Sequence, residues 1–136
     1  MKYYNKKCIF MGISFDSTKE RDRYIVLKDM ERKGEIQSLE LQKEFETLPR
    51  IVRNEVVQLK TKTKIVERID ERATHYHADF FYFDVRREQY VIEEVKSKAT
   101  ALIRDYALRR KLVKMMIMKM NAEAGKELYV FNEIIK

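Results

Sequence analysis

The sequence predicts an α/β fold, a mixed central β-sheet flanked by helices, in one domain spanning residues 1–136. Three observations predict it. Residues 74–83 and 89–97 are rich in Tyr, Phe, Val and Ile, as strands of a buried sheet are. Residues 17–34 and 101–122 instead space their apolar side chains as helices do. The elements then alternate in kind along the chain: hairpin, helix, several strands, helix, strand.

Residues 7–15 read as a short hairpin turning at Met11-Gly12. Asp16 or Ser17 caps the first helix, and Ser17-Thr18-Lys19-Glu20 has the spacing of a capping box. Its apolar stripe is Tyr24, Ile25, Leu27 and Met30, and Gly34 stops it. Leu39, Leu41 and Phe45 alternate in a half-buried strand over residues 36–45, which Pro49 ends. The charged segment 50–72 holds two further strands, near residues 55–59 and 64–69. Its basic residues Arg50, Arg53, Lys60, Lys62, Lys64 and Arg68 suit either a DNA-facing hairpin or a solvated surface. The long helix turns Leu102, Tyr106, Leu112, Val113, Met116, Ile117 and Met120 inward, and residues 127–131 close the chain as a strand. Met115, Met116, Met118 and Met120 read as core, with some left over for a dimer contact.

Composition excludes several classes. With 45% hydrophobic and 38% charged residues, three Gly and one Pro, the chain is neither disordered nor of low complexity. No apolar run reaches the ~18–20 residues that span a bilayer, and none resembles a signal peptide. Cys8 is the only cysteine, so no intramolecular disulfide forms, and a cytoplasmic location is expected. Lys and Arg number 29 against 22 Asp and Glu, a net charge of +7. Phosphate neutralisation dominates nucleic-acid affinity, so this balance suits a nucleic-acid partner.

The chemistry lies on the two central strands. A loop of residues 85–88 puts Phe83 opposite Tyr90, Phe81 opposite Ile92, Asp79 opposite Glu94, and His77 opposite Lys96. Opposed side chains have Cβ atoms only about 4.5–5.5 Å apart, so two carboxylates there repel. Either they share a proton, or a divalent cation bridges them; Mg²⁺, which binds one or two carboxylates and keeps its waters, suits the second case. Lys96 lies on the same side of its strand as Glu94. It either neutralises the acids or assists attack on a phosphate. Glu93 points the other way, as a structural partner for a helix residue. His75 and His77 share the carboxylate face, but no third His or Cys stands at ligand spacing, so zinc is not expected.

Asp79, a spacer, then Glu94-Val95-Lys96 resembles the signature of the PD-(D/E)XK nuclease superfamily. The surrounding residues extend the resemblance: Gly12-Ile13-Ser14-Phe15-Asp16-Ser17-Thr18-Lys19-Glu20, Gly34-Glu35-Ile36, Leu41-Gln42, His77-Ala78-Asp79-Phe80, Glu93-Glu94-Val95-Lys96-Ser97 and Arg109-Arg110-Lys111-Leu112. Together they resemble a group of small phage-encoded proteins in that superfamily, over nearly the whole chain except about residues 50–71. Ala78 stands where the superfamily name has Pro.

The resemblance implies a restriction-endonuclease-like core and a metal-dependent DNA endonuclease. It places Glu20 beside Asp79 and Glu94 as a third ligand of Mg²⁺, with Mn²⁺ able to substitute, and gives Lys96 a catalytic role. Glu20 matches the first-helix acid of the Holliday-junction resolvases; the capping box alone would also account for it. Gln42 matches a family position whose role stays open. Lys6, Lys7, Gln42, Lys98, Arg109, Arg110, Lys111 and Lys114 are the expected DNA contacts. The expected function is four-way junction resolution in phage recombination by a homodimer in the host cytoplasm, without a small-molecule cofactor. The competing expectations are a nuclease processing branched, flap or single-stranded DNA, and a non-catalytic DNA-binding protein of the same fold.

Overall fold

A computed structural model describes residues 7–136. The chain is a mixed α/β protein. Strands β1 (Cys8–Phe10) and β2 (Ile13–Phe15) form the expected hairpin. Its turn residues Met11 and Gly12 both have positive φ, 51° and 77°, the backbone that matches the twist of tight hairpins.

Helix α1 (Thr18–Arg32) starts at Ser17, whose Oγ accepts the Glu20 amide at 3.2 Å. It ends at Gly34 (φ 78°), where the Glu35 amide reaches back to the Met30 carbonyl at 2.9 Å. Tyr24 and Leu27 are buried, with Phe15, Ile36, Phe80, Tyr82, Val91 and Val95, in the core under this helix. Ile25 is 43% exposed and leaves the expected stripe, because it sits one residue around the helix from Tyr24.

Four strands make the central sheet in the order β3 (Ile36–Leu48), β6 (Thr74–Asp84), β7 (Gln89–Lys96), β8 (Tyr129–Ile135). The β6–β7 pair is antiparallel and the β7–β8 pair parallel, so the sheet is mixed. The β6–β7 loop is residues 85–88, with Phe83 on Tyr90 and Phe81 on Ile92, as expected. The Arg87 amide donates to Asp84 Oδ1 at 3.1 Å and Glu88 takes φ 54°, so an Asp and a left-handed Glu close a loop that lacks glycine.

Two elements differ from expectation. The long helix is broken: α2 (Lys98–Ala101) is capped by Ser97 Oγ, Ile103 turns extended, and α3 (Arg104–Ala124) runs to Gly125 in the left-handed region. Leu102 falls in the break and is 88% exposed, not inward, whereas Tyr106, Val113 and Ile117 are buried as expected. Met115 and Met118 face solvent at 59% and 71% exposure, outside the core to which their spacing assigned them. Strand β8 extends past Phe131 to Ile135, because Asn132 and Glu133 find polar partners and do not end it.

The described chain divides into two compact units. One takes in the described residues up to Lys43 together with His77–Lys136, and the other is Glu44–Tyr76. The second unit holds the antiparallel ribbon of β4 (Ile51–Gln58) and β5 (Thr63–Glu71), longer than the two strands the sequence suggested there.

Candidate active site

The sheet brings a set of charged side chains to one pocket of about 200 Å³ in the first unit. Asp79, from β6, is 6% exposed, Glu94, from β7, 3%, and Glu20, in the first turn of α1, 7%. Each needs a partner, because an isolated buried carboxylate is costly.

The ladder between β6 and β7 ends at Phe80–Glu93, one pair short of the Asp79–Glu94 opposition. The cause is Asp79 itself: its Oδ2 accepts the Val95 amide at 2.8 Å, bonding a side chain to the backbone of the neighbouring strand. Oδ1 accepts Gln42 Nε2 at 3.3 Å. Gln42 stands in the left-handed region (φ 53°) in the middle of β3, a costly conformation for a non-glycine residue and one that clusters at functional sites.

Lys96 Nζ lies 2.8 Å from Glu94 Oε1 and 5.8 Å from the centre of the Tyr106 ring. Tyr106 donates to Glu133 Oε2, which Arg110 Nη1 also approaches at 3.6 Å. The ammonium is thus held between a carboxylate and an aromatic face on a fixed base.

Electrostatics tie the acids together. Burial, then Asp79 and Asp16, push the Glu20 carboxyl up to about 8. Burial and Glu94 push Asp79 up to about 6, against the Val95 amide, Lys96 and Gln42. Burial pulls Lys96 down, but Glu94 and Asp79 outweigh it, so the amine stays protonated with a raised pKa. Four acids, Asp16, Glu20, Asp79 and Glu94, line the pocket against three cations, Lys19, Lys96 and Arg109, and burial leaves Glu20 and Asp79 poorly solvated.

The pocket also gathers Gln42, His77, Ser97, Thr100 and Arg109. Of the expected DNA contacts, Lys7, Lys98, Lys111 and Lys114 are exposed but do not line it, and Lys6 lies outside the described residues. Arg110 is half-buried against Tyr106 and Glu133, beside the base under Lys96, and does not line the pocket. His75 belongs to the second unit, 3.8 Å from Glu44. Sequence reasoning missed Ser97 and Thr100, and treated Asp16 only as a cap. Ser17 caps alone, leaving Asp16 to line the pocket and raise Glu20. The Glu20 amide completes half of a capping box, yet its carboxylate makes no return bond to the Ser17 amide among the described residues.

On the opposite face, the fully buried Glu93 is matched donor for donor. Arg23 grips it twice at 2.8 Å, and Tyr82 and Asn132 each donate at 2.8 Å. This is the structural partnership with a helix residue that the sequence suggested.

Among the described residues no three His, Cys, Asp or Glu side chains form a ready-made ligand group. The donor chemistry nevertheless fits a hard divalent cation: several carboxylates, with the Gln42 amide and His77 beside them, in a small polar pocket.

Fold and site together define a mixed α/β protein whose sheet and first helix bury three acids in one polar pocket beside a partly buried lysine. The chain belongs to the family described as Protein of unknown function (DUF1064), which matches residues 1–128. No curated protein and no solved structure matches it. Among the described residues no helix is long and apolar enough to cross a membrane.

Proposed function

We propose that this chain is a metal-dependent DNA endonuclease with a restriction-endonuclease-like core, and that its substrate is a four-way DNA junction. One observation carries the reading: Asp79, Glu94 and Glu20 are buried in one pocket with Lys96, at a cost in stability that only a bound cation or a reaction repays. A net charge of +7 favours a polyanionic substrate.

Glu20, Asp79 and Glu94 would hold Mg²⁺ or Mn²⁺, the metal supplying Lewis acidity toward a phosphoryl oxygen and a lowered pKa for water. The rest falls to the protein. The Val95 amide and Gln42 fix both oxygens of Asp79, so its carboxylate is pre-oriented. Lys96 keeps its proton and sets a positive charge where the attacked phosphate gains negative charge. Water's oxygen bonds to phosphorus as a phosphodiester P–O bond breaks, and the leaving alkoxide takes up a proton. Arg109 adds a cation at the pocket wall for a neighbouring phosphate. Paired nicks in a symmetric junction require two such sites, hence a two-fold dimer.

The test incubates the purified protein with labelled four-way junction, linear duplex, flap and single strand in Mg²⁺, Mn²⁺ or EDTA, beside Asp79→Ala. Paired symmetric nicks confined to the junction, absent in EDTA and in the variant, are the expected result. Cleavage of every substrate would make it a general processing nuclease. Tight DNA binding with no cleavage in any metal would make it a non-catalytic binder.

A further inference from the structure

A second cavity, of about 280 Å³, adjoins the acid pocket in the first unit. Asp16, Glu20, Gln42 and Asp79 line both, so the same acids serve two chambers. The chambers differ in charge. The first holds Lys19, Lys96 and Arg109, a place for phosphate. The second is lined by no cation, and its three acids repel a phosphate. What enters it is a neutral group.

Its lining suits a nucleobase. The buried rings of Phe15 and Phe80 meet the half-buried Ile13 and Leu41 there. Apolar walls with a few placed polar groups are how proteins hold a base taken out of its stack. The polar groups here are acceptors. Gln42 gives Nε2 to Asp79 Oδ1, which leaves its Oε1 without a hydrogen bond among the described residues. Asp16 offers a carboxylate, and Ser14 a hydroxyl with no partner among the described residues. With Glu20 and Asp79 given to the cation, no side chain is a committed donor. Such a lining matches the exocyclic amino group of adenine, cytosine or guanine, and thymine carries none.

We propose that the second chamber receives the base of a nucleotide flanking the scissile phosphate, swung out of its stack, and prefers an amino-bearing base. A base inside a continuous duplex must first leave its pair, a step that costs least where pairing is already interrupted. The chamber thus gives the site a physical reason to favour a branch point over linear duplex. The inference rests on the nuclease reading and names what that site recognises beside the phosphate.

The test first maps the cleaved bond in a four-way junction. It then places 2-aminopurine, whose fluorescence rises when it leaves the stack, at each flanking nucleotide in turn. Stopped-flow mixing with wild type in Mg²⁺ should show a rise at one of the two positions before cleavage. Ser14→Tyr, a strand-compatible change at an exposed residue, fills the chamber, and circular dichroism checks its fold. It should lose the rise and slow single-turnover cleavage by about 10²-fold, the scale of a misplaced reacting group. An abasic site at that nucleotide should restore most of the variant's rate, whereas a merely structural lesion would stay slow. Thymine there should slow wild type by roughly 5-fold, the loss of one hydrogen bond.

Wild-type cleavage with no rise at either position, a Ser14→Tyr that cuts like wild type, a variant the abasic site does not rescue, or indifference to thymine would each overturn the proposal and leave the nuclease reading standing. No cleavage of any substrate in any metal would sink that reading, and this inference with it.

Discussion

The Val95 amide donates to Asp79 Oδ2 at 2.8 Å, joining a backbone and a side chain where the sheet ladder would otherwise continue. The bond stops the β6–β7 pairing at Phe80–Glu93 and opens the gap in which the pocket lies. It also holds Asp79 ionised more readily than burial and Glu94 would allow.

Glu20 trades stability for function. Its carboxyl titrates near 8 in the folded protein against an ordinary 4.5, so folding favours the neutral form. Stability is therefore highest below 4.5, falls as pH rises through that window, and levels off above 8; Asp79 adds the same sign between 3.8 and 6. Glu20→Gln should stabilise the fold in EDTA at pH 8 by roughly 1–2 kcal/mol after allowing for residual solvation, read as a higher melting temperature. At pH 4 the two proteins should melt alike. In wild type, added Mg²⁺ should restore the alkaline loss. A variant that melts lower at pH 8 would refute the assignment.

Lys96 acts on charge that develops during the reaction. Lys96→Met should lower kcat by about 10²–10³, the scale of one lost stabilising donor, with a smaller change in DNA affinity. Single-turnover cleavage alongside filter binding separates the two. Tyr106→Leu, removing the ring beneath the ammonium, should fall between wild type and Lys96→Met.

Glu93 is silent in catalysis and loud in stability. Its carboxylate is fully buried and accepts from Arg23, Tyr82 and Asn132. Arg23→Met strands that charge and should cost about 3–5 kcal/mol in urea unfolding. Arg23→Met with Glu93→Leu should recover part of the loss, as replacing a whole buried pair usually does.

Gln42 pays for its place with backbone strain. Gln42→Gly relieves the φ of 53° and should hold or raise stability by up to about 1 kcal/mol, while cleavage falls as Asp79 Oδ1 loses its donor. Gln42→Ala keeps the strain and loses the same donor, so it should be less stable than Gln42→Gly with a similar loss of cleavage. Melting curves and cleavage rates on the three proteins decide it.

What the sequence made legible was local. The residue 85–88 loop and the pairing of Phe83 with Tyr90 follow from strand alternation between close neighbours. The opposite facing of Glu93 and Glu94 follows from the same period of two. Less legible was whatever depends on one side chain's choice of partner. Asp79 taking the Val95 amide, Gln42 turning left-handed inside a strand, and Asn132 and Glu133 hiding their polarity in β8 leave no periodic trace. The break at Ile103 was equally hidden, because neither Gly nor Pro marks it.

Glu93 and Glu94 are consecutive, yet one braces the fold and its neighbour faces the pocket. That adjacency sets the mutational grammar of β7. Conservative swaps such as Ile92→Val should be absorbed, but one inserted or deleted residue between Gln89 and Glu93 would turn both carboxylates to the wrong faces. A deletion would bring Glu94 to Arg23 and Val95 to the pocket, and an insertion would bring Glu93 to the pocket and Ile92 to Arg23. Lineages carrying this strand should vary in its letters far more freely than in its length.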